Sequence, residues 1–235
     1  MAYSFAKGSF AKKTDGTGLQ AVTGVGFQPD AILLFHSFSE ADLPGDNGDG
    51  ALQIGFGESS TKRATVSFNC KDNVTTTNTV KTQVTDKIIR VLDNNGNEFA
   101  AADLTSLDTD GFTVNWSVVG GNNRRCIYVA LKGILIEVGS FNTGTGTGNF
   151  SVTGVGFQPS SILFFSDTNA ASAAILDHAD ISIGAVDSAG TQVAIGGNSK
   201  DAVTTSASMN FIASAIVYRK YTVGTTTLVE EVTWV

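Results

Sequence analysis

The sequence predicts an all-β protein of two tandem β-sandwich, jelly-roll-like domains built from an internal duplication. Three observations predict it. The first is a repeated segment: residues 22–35 read VTGVGFQPDAILLF and residues 152–165 read VTGVGFQPSSILFF, identical over their first eight positions. The second is composition, with 26 Gly in 235 residues, only 16% charged side chains, and a polar share carried by Thr, Ser, Asn and Gly. Thr and Val fit a pleated surface, and Gly and Asn supply positive-φ turns. The third is a succession of short alternating or apolar runs broken by turn residues, which suits a sandwich better than helices.

Other landmarks recur at an offset near 130. Gly8-Ser9-Phe10 matches Gly139-Ser140-Phe141, Ile54-Gly55 matches Ile183-Gly184, and residues 69–76 match 198–205. Such a period is the size of a domain, not of a solenoid unit. The boundary is expected near Gly133, which gives domains 1–133 and 134–235.

Within the repeated motif, Gly26, Phe27 and Pro29 and their equivalents Gly156, Phe157 and Pro159 read as structural. Gly permits positive φ, Pro removes a ladder donor, and the two Phe are expected to plug the sandwich end. The apolar runs that follow, 31–35 and 162–165, fit strands buried on both faces. Residues 52–56, 64–68, 112–116 and 127–131 alternate as half-buried strands do. Turns are expected at 93–97 and 108–111, and short helices over 98–107 and 170–178.

The second copy reads as shorter. Aligning residues 232–235 (VTWV) with 114–117 (VNWS) leaves it without counterparts of the closing strand at 126–131 and of the region 93–108. A sheet edge would then stand open. Continuation past residue 235, a different closure, or a strand from a neighbouring subunit would each resolve it.

The net charge of −7 and a pI near 4.7 argue against a nucleic-acid partner, and Arg124-Arg125 is the one adjacent Arg pair. No apolar run reaches membrane-spanning length and no secretory leader is visible, so a soluble product of the cytoplasm with no membrane partner is expected. Two cysteines, Cys70 and Cys126, make no disulfide framework and read as small buried side chains.

Residues that could carry chemistry are sparse. His36 and His178 are not equivalent in the repeat, no His/Cys set has zinc spacing, and residues 143–148 read as a Gly-rich turn rather than a phosphate cradle. Asp42, Asp46, Asn47 and Asp49 form a weak calcium-loop candidate without EF-hand spacing, and a solvated acidic loop is the simpler reading. Glu230 and Glu231 are adjacent, so on a strand they face opposite ways. No catalytic residue and no cofactor is expected.

The GFQPD turn at residues 26–30, the DGFTV strand at 110–114 and the YVA strand at 128–130 resemble a group of uncharacterised phage and prophage virion proteins. In that group a GFQPD turn opens a strand, and DGFTV and YVAW-like strands close the unit. The first unit carries all three landmarks; the second carries the first alone, with Ser160 in place of Asp. The resemblance implies a non-enzymatic part of the virion: a capsid decoration or cement protein, or a tail or fibre component. It implies partners among other capsid or tail subunits and a homo-oligomer such as a trimer. The alternative expectation is a carbohydrate- or receptor-binding module on a phage appendage, with Trp116, Tyr128, Tyr218, Tyr221 and Trp234 as the aromatic inventory. A hydrolase has the least support, because no acid, base or nucleophile constellation stands out.

Overall fold

A computed structural model describes residues 3–37, 49–71, 78–121, 124–144, 146–167, 174–176, 178–201, 208–223 and 225–235. Among these the secondary structure is all β, with no helix. In chain order the first ten strands are β1 (Ser4–Ala11), β2 (Gly18–Thr23), β3 (Ala31–His36), β4 (Asp49–Gly57), β5 (Arg63–Lys71), β6 (Thr79–Val84), β7 (Ile89–Leu92), β8 (Glu98–Asp108), β9 (Gly111–Val119) and β10 (Arg125–Lys132). Seven follow: β11 (Ser161–Ser166), β12 (Ala174–Leu176), β13 (His178–Asp187), β14 (Gln192–Lys200), β15 (Ser208–Ser214), β16 (Tyr218–Tyr221) and β17 (Leu228–Val232).

The first ten strands make two antiparallel sheets. One has the order β1-β10-β3-β4-β5-β6, with β12 added at its end; the other is β2-β9-β8-β7. A single core lies between them. Ile32, Leu34, Cys126, Tyr128 and Ala130 contribute from the first sheet, and Val22, Leu104, Phe112, Val114 and Trp116 from the second. Period-2 alternation builds that core, since Phe112, Val114 and Trp116 are buried while Asn115 points to solvent. The Phe112 ring meets Phe10 and Tyr128 edge-on, at 5.8 and 5.4 Å between centroids. Trp116 donates its indole N–H to Gln20 Oε1 at 2.8 Å, so its polar edge is satisfied.

The second half has a sheet of order β11-β13-β14-β15 and a two-stranded sheet, β16-β17. Its register follows the first half residue by residue. Leu34 pairs with Gly55 and Phe164 with Gly184; Ile54 pairs with Val66 and Ile183 with Ile195; Val66 pairs with Gln83 and Ile195 with Ile212.

Three expectations need correction. Residues 98–107 are not a helix but the long strand β8, where Ala100, Ala101 and Ala102 are fully buried. Small side chains allow close packing on both faces there, and tertiary burial overrides their helical propensity. The described part of 170–178 is likewise strand, in β12 and the start of β13. Third, residues 232–235 do not match β9. Val232 pairs with Tyr218 as Ala102 pairs with Ile89, so β17 stands where β8 stands and Trp234 falls at the place of Leu104. The turn between β16 and β17 then answers to residues 93–97. Among the described strands of the second half, β11, β13, β14 and β15 pair in the order of β3 to β6, and β16 pairs with β17 as β7 pairs with β8.

Candidate functional site

Asp42, Asp46 and Asn47 of the calcium-loop candidate lie outside the described residues, and Asp49 opens β4. Among the described residues, no group of three His, Cys, Asp or Glu gathers as metal donors. Nor do the two histidines converge. His36 ends β3, is buried, and has no hydrogen-bond partner on either ring nitrogen. Burial, with the nearby Arg124 and Lys12 cations, pushes its pKa down to about 4. His178 opens β13, with Nε2 3.8 Å from Asp180 Oδ2.

Neither cysteine is in a disulfide. Cys126 is buried and burial pushes its thiol pKa up to about 12; Cys70 is half-buried and places Sγ 3.5 Å from the Gly50 carbonyl oxygen. Glu230 and Glu231 face different partners, Tyr218 OH and the Arg219 guanidinium, so they do not act as a pair. Of the aromatic inventory, Trp116, Tyr128 and Tyr218 are buried, Tyr221 is half-buried, and Trp234 is exposed. Trp234 borders a small cleft of about 110 Å³ with Gln158, Pro159, Ile162, Val186 and Asp187. Ligand pockets usually exceed about 300 Å³.

The repeated motif builds a recognisable local device. Gly24 and Gly26 have φ of 84° and 87°, which aims their amide N–H groups into one concavity. The Asp110 carboxylate sits there, with Oδ2 accepting from Gly24 N at 3.0 Å and Oδ1 from Gly26 N at 2.5 Å. Phe27 packs against the core and Pro29 is buried. Two further bonds close the unit: Asp30 N donates to Leu131 O at 2.7 Å, and Gly133 N donates to Asp30 Oδ2 at 2.6 Å. Asp110 was visible in the sequence as part of a turn, but nothing there tied it to a glycine pair 84 residues away.

The same turn in the second half has the same backbone, with Gly154 at φ 89° and Gly156 at φ 79°. Its surroundings differ. Among the described residues no carboxylate accepts from Gly154 or Gly156. Val22 is 6% exposed and its equivalent Val152 47%. Residues 135–142 and 148–153, which match β1 and β2, are not in strands over their described part. In the first half those strands pair with β10 and β9.

Among the described residues β11 pairs with β13 alone and β17 with β16 alone, so each has one unpaired edge, as do β15 and β16. The expected double-sided burial of 162–165 fails here, since Leu163 is 59% exposed, and its equivalent on β3, Leu33, is half-buried. On one face of the β11-β13-β14-β15 sheet, cross-strand rows place Leu163, Ala185 and Val193 beside Phe165, Ile183, Ile195 and Ile212. Leu163, Val193, Ile195 and Ile212 are all exposed.

A buried polar seam joins the halves. Lys81 on β6 bonds the Asp180 carboxylate on β13 and donates to the Asp167 carbonyl at 3.2 Å. Beside it the Asp201 carboxylate accepts from Asn78 N at 2.9 Å, β12 pairs with β6, and the Phe56 and Phe165 rings meet at a tilt, 4.6 Å between centroids.

No family model, no curated protein and no solved structure matches this chain. The described geometry is that of a β protein whose second half offers open strand edges and an apolar sheet face.

Proposed function

We propose that this chain is a non-enzymatic structural protein of a bacteriophage particle, a capsid decoration or cement protein or a tail or fibre component, which acts through subunit contacts in the virion. We also read it as two tandem jelly-roll-like sandwich units from one duplication. The matched registers support the duplication, as do Gly55 and Gly184, where an added Cβ would overlap the backbone carbonyl of Ile88 and Val217 respectively. The jelly-roll description rests on the antiparallel wrap of β1 and β2 against β10 and β9 across both sheets.

The observation that carries the functional reading is the exposed apolar row on the β11-β13-β14-β15 sheet, whose end strands β11 and β15 each have one strand neighbour among the described residues. Contiguous apolar surface and open edges are what association consumes. The GFQPD, DGFTV and YVA resemblance supplies the virion context. The glycan-binding alternative is supported by Trp234 alone of the five aromatics, at the edge of its small cleft.

Light scattering tests the reading, on the chain alone and mixed with isolated empty capsids and tails of the phage that encodes it. A stable homo-oligomer, such as a trimer, or a particle-bound species is the expected result. A monomer that ignores both particles and binds immobilised glycans would overturn it in favour of the alternative.

A further inference from the structure

We propose that the seam between the halves is a modification site: Lys81 and Asp180 condense, with loss of water, to an amide that links the two halves covalently. The inference is independent of the virion reading and of the duplication.

Four observations carry it. The Lys81 ammonium touches the Asp180 carboxylate at Oδ1, so amine and carboxyl already stand together. Both side chains are buried, which keeps away the water that would return an amide to acid and amine. Lys81 Nζ also donates to the Asp167 carbonyl at 3.2 Å, and that bond fixes the direction of the nitrogen. His178 Nε2 stands 3.8 Å from Asp180 Oδ2, the carboxylate oxygen that Lys81 does not hold.

The two reacting residues sit on rigid elements. Lys81 lies within β6, paired with Phe68 of β5 on one side and with Ala174 of β12 on the other. Asp180 lies on β13, paired with Asn198 of β14. Two reactants held in contact in this way meet at an effective concentration of about 10⁵–10⁸ M. Burial assists the first step. A buried ammonium and a buried carboxylate are both costly, and a proton passed from Nζ to Oδ1 leaves a neutral amine and a neutral acid. The amine lone pair then attacks Cγ, and the Nζ–Cγ bond forms. Negative charge develops on Oδ2, where the His178 Nε2–H closes on it. Nζ gives a second proton to Oδ1, the Cγ–Oδ1 bond breaks, and Oδ1 leaves as water. Oδ2 remains as the carbonyl oxygen of the amide. No oxidant, reductant or further reactant is consumed. Because the pair rests as ions, the step follows folding and is slow. Newly folded chain therefore carries the ion pair, and the amide accumulates afterwards.

Mass spectrometry of the full chain in denaturant, intact and after trypsin, tests the proposal. Newly folded chain should show the mass of its sequence, and chain kept folded for days should be lighter by one water. Trypsin should then leave Lys81 uncut and release a branched fragment joining residues 72–87 to 133–200. Lys81→Arg keeps a cation whose guanidinium stays protonated, so that variant should hold its full mass throughout. His178→Leu should form the branched fragment about a hundredfold more slowly. Full mass and complete cutting at Lys81 after weeks, in a chain that still melts cooperatively, would overturn the proposal. Loss of water that maps to an Asp-Gly succinimide, with Lys81 still cut, would overturn it equally. If Lys81→Arg does not fold, the fragment map of the parent chain decides alone, by the branched fragment or its absence.

Discussion

Replacing Lys81 by Met isolates the seam between the halves. The Lys81 side chain is 1% exposed and the Asp180 side chain 5%, so solvent does not screen the pair. Lys81→Met removes the cation and leaves the Asp180 carboxylate buried, with its Oδ2 otherwise unbonded and the His178 Nε2 3.8 Å away. Breaking a buried pair from one side costs about 3–5 kcal/mol, because an uncompensated charge remains. For a chain of this size, about 2–4 °C of melting temperature goes with each kcal/mol, so the midpoint should fall by about 6–20 °C. The double variant Lys81→Met/Asp180→Leu removes both charges and should recover to within about 1 kcal/mol of the parent. Urea denaturation at neutral pH, with melting curves on the same samples, measures both. A single variant that loses less than about 1 kcal/mol, or a double variant as unstable as the single, would refute the reasoning.

Acid should weaken the fold through His36. Its folded pKa near 4 lies below the ordinary value of 6.5, so the unfolded chain takes up a proton first as pH falls. Stability is complete above about 6.5 and declines towards pH 4, by about 3 kcal/mol over the window; urea midpoints at pH 7.5 and 4.5 measure it, and His36→Leu should flatten that part of the slope. Gly8→Ala should destabilise by about 1–3 kcal/mol through overlap with Tyr128, while Gly139→Ala should change the midpoint by less than about 0.5 kcal/mol. Thiol titration should modify Cys70 under native conditions and Cys126 only on unfolding, since the Cys126 thiolate is strongly disfavoured where it lies. Equal rates at the two sulfurs would show that β10 does not seal the core.

Much of the first half was legible in the sequence because its side chains alternate against one core. Residues 112–116 and 127–131 fall in β9 and β10, and the turns at 93–97 and 108–111 lie where Asp, Asn and Gly allow them. The Glu-Phe-Ala-Ala-Ala-Asp-Leu run did not read as strand, because local propensity cannot see that both faces of β8 are covered. The Val-Thr-Trp-Val terminus drew an alignment to Val-Asn-Trp-Ser through a shared Trp, and strand pairing places it with β8 instead. The Lys81–Asp180 pair was not legible at all, since 99 residues separate its members and neither sits in the repeated motif. The carboxylate-binding turn was half legible: the two glycines announce positive φ, but the identity of their guest depends on how β9 is docked.

One asymmetry is decisive: β3 lies between two strands, whereas β11 pairs with β13 alone among the described residues. Amide hydrogen exchange on the monomeric chain tests it most directly. Strand β3 is paired on both sides and should exchange slowly throughout. Strand β11 is paired on one side, so the amides among residues 162–166 that point away from β13 should exchange orders of magnitude faster. Uniform slow exchange across β11, matching β3, would contradict the open edge and the proposal built on it.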